Sequence, residues 1–298
     1  MFGQNKKIRG SGDIVVPLVG TIVITIFALA CFYPFLYVVG VSFMPYSEYM
    51  ANPLRVIPSR IDFSAYKQIL DYAIFRSGFM VSTIVTVVGT VISIFLLVIT
   101  AYPLSKRDLK GGSMIMKLIM FTMFFSGGMI PNFILVKNLH ITNTLWALIL
   151  PGAIGAFNLI LMKNFIATSV PASLEEAARI DGANDISILF LVVVPMIIPA
   201  IATLVIFIAV LRWNNYFDAM LYITDRNKWP IMTVLRELVI DNYANAVNQA
   251  SMAVSTNRAH SFTLKMAAIV LAALPILVVY PFMQRFFVKG IVLGSVKG

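Results

Sequence analysis

The sequence predicts an all-α polytopic membrane protein, with six transmembrane helices and a short cytoplasmic helix between the fourth and fifth. Three observations carry this. Hydrophobic residues make up 59% of the 298, with a mean hydropathy of +0.88. Charged residues make up only 12%, against about 25% in an ordinary soluble domain. The apolar residues also gather into six stretches of about 20 residues, the length that crosses a bilayer core at 1.5 Å per residue. The net charge of +10 therefore belongs to membrane topology. No basic run interleaved with aromatics is present, so a nucleic-acid role is not expected.

The first stretch, Val15 to Gly40, follows a basic tail of Lys6, Lys7 and Arg9. Such a tail also opens a signal peptide, but a signal's apolar region runs for only about 7–15 residues, and Ile14 to Ser47 holds no charge. An uncleaved span is expected. Ala28-Leu29-Ala30-Cys31 faintly resembles a lipoprotein cleavage box, yet Leu29 stands one place late and the apolar run continues past it. Cys31 is the only cysteine, and His140 and His260 lie far apart in the chain, so neither an intrachain disulfide nor a metal-ligand cluster is expected. Residues 1–76 are read as tail, first span and outer loop, and 77–298 as the core.

The further spans are expected at Phe79 to Leu104, Met114 to Val136, Leu145 to Met162, Ile188 to Leu211 and Met266 to Val288. The fourth carries Pro151, Gly152 and Asn158, which predicts a broken or tilted helix. Orientation follows from the short connections. Lys6, Lys7 and Arg9, then Lys106, Arg107 and Lys110, then Lys163 and Arg179, and finally Arg285, Lys289 and Lys297 lie on one side. The other side holds as many basic residues, Arg212 among them, but spreads them through long loops, where they weigh little. Both termini are therefore expected in the cytoplasm.

In the long loop before the sixth span, Ile231, Val234, Leu235, Leu238 and Val239 recur at helical spacing. They predict an amphipathic helix at the outer interface. Trp213, Tyr216, Phe217, Tyr222 and Trp229 around it are read first as an aromatic belt at the bilayer surface, with stacking on a sugar as the alternative.

The interiors of the six spans are read as free of ionisable groups, since Lys117, Lys265 and Arg285 lie near helix ends and can snorkel. An ion gradient needs a group that changes charge within the bilayer, so ion coupling is not expected. There is no G-x-x-x-x-G-K-[ST] loop for ATP, and no catalytic constellation. Energy for uphill movement would have to come from another subunit.

The stretch Ser173 to Pro199 is where that subunit would grip. Ser173 and Glu176 have capping-box spacing, and Pro171 blocks any helix arriving from upstream, so a helix is expected to start at Leu174. Gly182 is placed to end it in the left-handed conformation, with Asn184 or Asp185 capping the next helix. Ala177 and Ala178 leave a low surface for close packing. Glu175, Glu176, Asp181 and Asp185 make the loop acidic on a side that favours positive charge.

Glu176-Ala177-Ala178, Asp181-Gly182-Ala183 and Val192-x-Val194-Pro195 together resemble the E-A-A-x-x-x-G-x(9)-I-x-L-P signature of permease subunits in binding-protein-dependent ABC importers. Val replaces both Ile and Leu. The tail, Gln284-Arg285-Phe286-Phe287-x-x-Gly290-x-x-x-Gly294-x-Val296-Lys297-Gly298, is similar to that of carbohydrate permeases of the maltose-importer kind, as is Trp213-Asn214. The resemblance covers roughly Ser77 to Gly298. The longer loop from Asn242 to His260 looks more like permeases for larger or modified oligosaccharides.

The resemblance implies a multi-pass subunit of a bacterial cytoplasmic membrane. It would pair with a homologous second permease and two ATPase subunits, and an extracytoplasmic solute-binding protein would feed it a sugar. It implies no cofactor on this chain, with ATP and Mg on the partner ATPase. Glu175, Glu176, Ala177, Ala178, Asp181, Gly182 and Ala183, in a loop spanning 168–187, become the coupling helix and its turn. Val296, Lys297 and Gly298, in a tail spanning 289–298, become a second ATPase contact. Catalytic and metal residues are expected to be absent, and substrate-binding residues are not assigned. The rivals are an importer of peptides, amino acids or phosphate, and a membrane-embedded enzyme or scaffold. The latter needs polar residues converging at one depth, whereas Asn158, Thr203 and Ser187 are scattered.

Overall fold

The computed structural model describes residues 12–248 and 262–281. The described residues are helical, with no strand among them. In chain order the helices are α1 (Gly12–Ser42), α2 (Tyr46–Ala51), α3 (Ser64–Asp71), α4 (Ala73–Ser105), α5 (Gly112–Phe124), α6 (Met129–Asn138) and α7 (Trp146–Ile149). Then come α8 (Ala156–Ser169), α9 (Ala172–Ile180), α10 (Asp185–Met196), α11 (Ile198–Asn214), α12 (Phe217–Tyr222), α13 (Ile231–Asn248) and α14 (Phe262–Pro281).

Two compact units form, Met1–Ile69 with Asn248–Val270 and Leu70–Val247 with Leu271–Gly298. In the first, the apolar 18-residue window of α1 is 0% buried, so that stretch is left for lipid or another chain, while Val41 and Ser42 at the helix end are buried. Past α1 the chain folds on itself through a few local ties. Phe43 stacks on Tyr66 at 4.8 Å, the Ser42 and Tyr66 hydroxyls bond at 2.7 Å, and Glu48 accepts the Ser59 amide at 2.7 Å. That amide bond is the main reason the Glu48 carboxyl titrates below the usual glutamate value. The Val56 carbonyl lies where any side chain on Gly40 would have to go, so glycine is required there.

In the second unit α4 is the central post. Leu97, Val98, Ala101 and Tyr102 of α4 meet Leu159, Met162 and Ile166 of α8, and Ile188, Val193, Leu204 and Ile208 of α10 and α11, in one buried cluster. A second cluster joins Val81 and Val85 of α4 to Val136, Ala147–Ile149 and Tyr222.

Among the described residues three helices are long and apolar enough to cross a membrane, and five if each bent pair counts as one span. The third expected span is one such pair. α5 and α6 meet at 115°, because Ser126-Gly127-Gly128 breaks the helix and Gly128 takes φ 87°. The fifth is the other: α10 and α11 meet at 80° at Ile197, between Pro195 and Pro199, each of which removes a backbone donor. The fourth is α8 alone, 14 residues long, after a non-helical segment at Leu150–Gly155 in which Gly152 takes φ 71°.

The amphipathic helix after Trp229-Pro230 forms as α13. Its apolar face, however, is buried in protein, with Ile231 and Val234 fully enclosed. The Ile231 amide donates to Ser82 Oγ at 2.8 Å, and Val234 closes over Gly78, where a Cβ would stand 3.0 Å from its methyl. The aromatic belt is also only partly present. Trp213 and Tyr222 are buried, and the Trp213 indole donates to the Ala272 carbonyl at 3.1 Å. Tyr216 and Phe217 stay exposed.

Candidate functional site

The site is built on α9. Its start differs from the capping-box expectation. The helix begins at Ala172 with Pro171 at the cap and no side-chain cap bond, so Ser173 lies inside the first turn and cannot serve as the cap. Pro171, extended at ψ 135°, cannot continue a helix arriving from upstream and so fixes the start at Ala172.

The C-terminal end follows from sequence. Gly182 takes φ 84°; its amide donates to the Arg179 carbonyl at 3.0 Å, and the Ala183 amide to the Ala178 carbonyl at 2.9 Å. These are the two bonds of a Schellman turn, in which a glycine just past the helix turns the chain and satisfies the last carbonyls. The apolar contact that accompanies the turn is present too, since Ala178 and Ala183 both pack on the core cluster. Ala178 is half-buried, with part of its surface on the core cluster, and Ala177 is exposed. Asn184 caps α10, its side-chain oxygen accepting the Ser187 amide at 2.8 Å.

Glu175 points inward. Its carboxylate pairs with the Lys106 ammonium and accepts the Tyr102 hydroxyl at 3.1 Å, while the ammonium also lies 4.2 Å from the centre of the Tyr102 ring. Burial, reinforced by the charge on Arg179, lowers the Lys106 pKa from the usual lysine value. These contacts fasten the first turn of α9 to the end of α4. A cleft of about 610 Å³ opens beside them, lined by Lys106, Arg107, Asp108, Glu175, Glu176 and Arg179 among others.

The outward face of α9 and its turn carries Glu176, Ala177, Asp181 and Ile180. Ile180 is 87% exposed, and Ile186 just past the turn 70%. Both stand among exposed polar residues of the loop. Ile180 was not singled out from sequence, although it fits the helical spacing of Ala177 and Glu176. Beyond the turn, Ile188–Val193 of α10 form a π-helical stretch, a local irregularity often found at functional positions. The tail residues Val296, Lys297 and Gly298 lie outside the described residues.

Arg212 corrects the expectation that the span interiors hold no ionisable group. It lies within α11, and its guanidinium turns back into the bundle. Nη2 donates to Ser93 Oγ at 2.8 Å and to the Ile149 carbonyl at 3.1 Å, and Nη1 to the Leu148 carbonyl at 3.1 Å. A guanidinium is not deprotonated in proteins, so Arg212 is a fixed charge.

The family model for the "binding-protein-dependent transport system inner membrane component" matches residues 63–293. The chain is 47% identical over 272 residues to the polygalacturonan/rhamnogalacturonan transport system permease protein YtcP of Bacillus subtilis (strain 168), covering 91% of this chain and 94% of that protein. It is 43% identical over 265 residues to Protein LplC of the same organism, covering 89% of each. Among solved structures it matches, with a TM-score of 0.84 and 33% identity, a chain in the crystal structure of a bacterial ABC transporter involved in the import of the acidic polysaccharide alginate. That match covers 95% of this chain and 100% of the other.

Proposed function

The chain belongs to the family of inner-membrane components of binding-protein-dependent transport systems, and from that premise we propose that it is the permease subunit of an ATP-driven importer of acidic oligosaccharides. It forms half of the pathway, beside a homologous second permease. An extracytoplasmic binding protein delivers the sugar, and ATP with Mg is held on two partner ATPases. The acidic class is supported by the polygalacturonan and alginate named for its relatives, both polymers of uronic acids. The six-span topology, with both termini in the cytoplasm, counts each bent pair as one span and α8 with its preceding break as another. In that topology residues 77–298 are the core and 1–76 the first span with its flanks.

One observation carries the reading. A short helix, held from beneath by Lys106 and Glu175 and closed by a glycine turn, presents Ala177 and an 87% exposed Ile180. A rigid mount under an apolar tip is what a coupling helix needs. Within it, Glu175 and Ala178 with Ala183 act as the mount and Gly182 as the hinge-stop. Glu176, Ala177 and Asp181 meet the ATPase, and Val296, Lys297 and Gly298 supply its second contact.

The test is to reconstitute the assembled complex with its binding protein and add saturated oligogalacturonate, alginate oligosaccharides or neutral maltooligosaccharides. Stimulated ATP hydrolysis and uptake with a uronate substrate are expected. Stimulation by the neutral sugars alone removes the acidic class, and stimulation only by a peptide, amino acid or phosphate removes the sugar reading.

A further inference from the structure

The central residue of the 33-residue α4 is Gly89, and the Arg212 guanidinium occupies the space where its side chain would be. A Cβ on Gly89 would stand 2.8 Å from Arg212 Cζ and Nη1, and 2.9 Å from Nε. A charge turned into an apolar bundle is unfavourable unless it is compensated. Among the described residues no carboxylate lies within 4.0 Å of its nitrogens. The compensation comes instead from the end of α7. Because the chain leaves the helix at Leu150, Gly152 and Ala153 do not continue the ladder, and the Ala153 amide goes to the Leu150 carbonyl at 3.1 Å. The Leu148 and Ile149 carbonyls are left open, and Arg212 takes both. A cation at the negative end of a helix is favourably placed. Nε is buried without a partner, beside a void of about 20 Å³ lined by Val85, Leu148, Asn215 and Pro230, space for one bridging water.

Arg212 thus ties α11 to the middle of α4 and to the break that follows α7. That break is backbone without helical bonding, with Gly152 and Ile154 exposed. In a bilayer such backbone is tolerated only against protein or a water-filled cavity. At its other end α11 continues, through the Ile197 bend and the π-helical stretch, to the Asn184 cap and the turn after α9.

We propose that Arg212 is a positioning residue of the transport cycle: it carries displacement of α11 to the Leu150–Gly155 break, which lines the pathway. This rests on the importer reading above.

The test uses the assembled complex in proteoliposomes, with Cys31→Ala as background and Ile154→Cys as a labelling site. The labelling rate is expected to change between ATP-free and ATP-trapped states. Arg212→Met keeps the apolar stem and removes the donors. Gly89→Ala keeps the arginine and takes its space, and Arg212→Lys keeps the charge without the fork. Each is expected to assemble and to keep basal ATP hydrolysis. Uptake per ATP should fall at least about tenfold in the first two, as the loss of one hydrogen bond to a charged group implies, and less in the third. In Arg212→Met the ATP-dependent labelling change should vanish while the ATP-free rate stays as in the parent.

Wild-type uptake per ATP in Arg212→Met or Gly89→Ala overturns the proposal, and so does a labelling change that persists. Should Arg212→Met fail to assemble, Gly89→Ala and Arg212→Lys decide by the same two readouts. The labelling arm needs no solute, so a parent complex that shows the change but imports none of the sugars removes the substrate reading and leaves the latch supported.

Discussion

Lys106, the first residue beyond α4, is paired with Glu175 in the first turn of α9, although the two stand 69 residues apart in the chain. Both side chains are mostly covered, 22% and 12% exposed, so the pair is screened less than a surface bridge. It converts a short helix, which alone would be marginal, into a fixed lever on the central post of the unit.

Glu175→Gln should loosen that lever by about 1–2 kcal/mol, the range for a lost charge-assisted bond at a partly covered site. Amide exchange in α9 should speed up while exchange in the α4 interior stays unchanged. Replacing both partners, Lys106→Met with Glu175→Leu, should cost less than either change alone, since no unpaired charge is left behind. Equal protection of α9 in Glu175→Gln and the parent would show that the pair holds nothing.

Ile180 is the reverse case, a large side chain that the chain itself does not use. Ile180→Ser should leave the unfolding midpoint of the isolated subunit unchanged, because 87% of the side chain is already exposed. It should weaken assembly with the ATPase by about tenfold, in line with removing about 1.5 kcal/mol of buried aliphatic surface from an interface. Titration of purified ATPase into the permease in detergent reads this directly, and unchanged affinity would move the contact elsewhere.

At Gly182 the nearest neighbours of an added Cβ are more than 4 Å away, so packing does not forbid a side chain; only the φ of 84° does. The cost of a non-glycine residue in this conformation is about 1–2 kcal/mol, and asparagine tolerates it best. Gly182→Asn should therefore couple nearly as the parent does. Gly182→Val, β-branched and least suited to positive φ, should assemble yet hydrolyse ATP without proportionate uptake. Normal uptake per ATP in the valine variant would defeat the idea that the turn sets the angle of the coupling helix.

How far the sequence could be read depended on whether a feature was local. The long apolar helices, the glycine turn at Gly182 and the Asn184 cap each rest on a few adjacent residues, and each was legible. The bend between α5 and α6 was not, because a hydropathy average passes over Gly127-Gly128 without registering a change of direction. Ser173 has the spacing of a cap, but Pro171 had already started the helix. Arg212 is read from sequence only as one of the basic residues of the outer loops. Its partners are the Leu148 and Ile149 carbonyls, left open where the chain leaves the helix at Leu150, and their position beside α11 is a product of the tertiary fold. Lys106 and Glu175 were both noted as charges, but nothing local pairs them.

Asn143 gives a last test, in the loops at the far end of the second unit. It adopts φ 58° and joins two loops through four bonds. Its amide donates to the Tyr222 carbonyl at 2.8 Å, and its carbonyl accepts Lys228 Nζ at 3.0 Å. Its side-chain oxygen accepts the Thr224 and Asp225 amides at 3.2 and 3.0 Å. Asn143→Gly keeps the backbone conformation and loses the two side-chain bonds, at about 1 kcal/mol each. Asn143→Ala loses the same bonds and adds the strain of a Cβ at positive φ, about 1 kcal/mol more. The thermal midpoint in detergent should fall in the order parent, glycine, alanine. A glycine variant no more stable than the alanine one would mean that the positive φ is not held in solution, and that the loop relaxes once its side-chain bonds are gone.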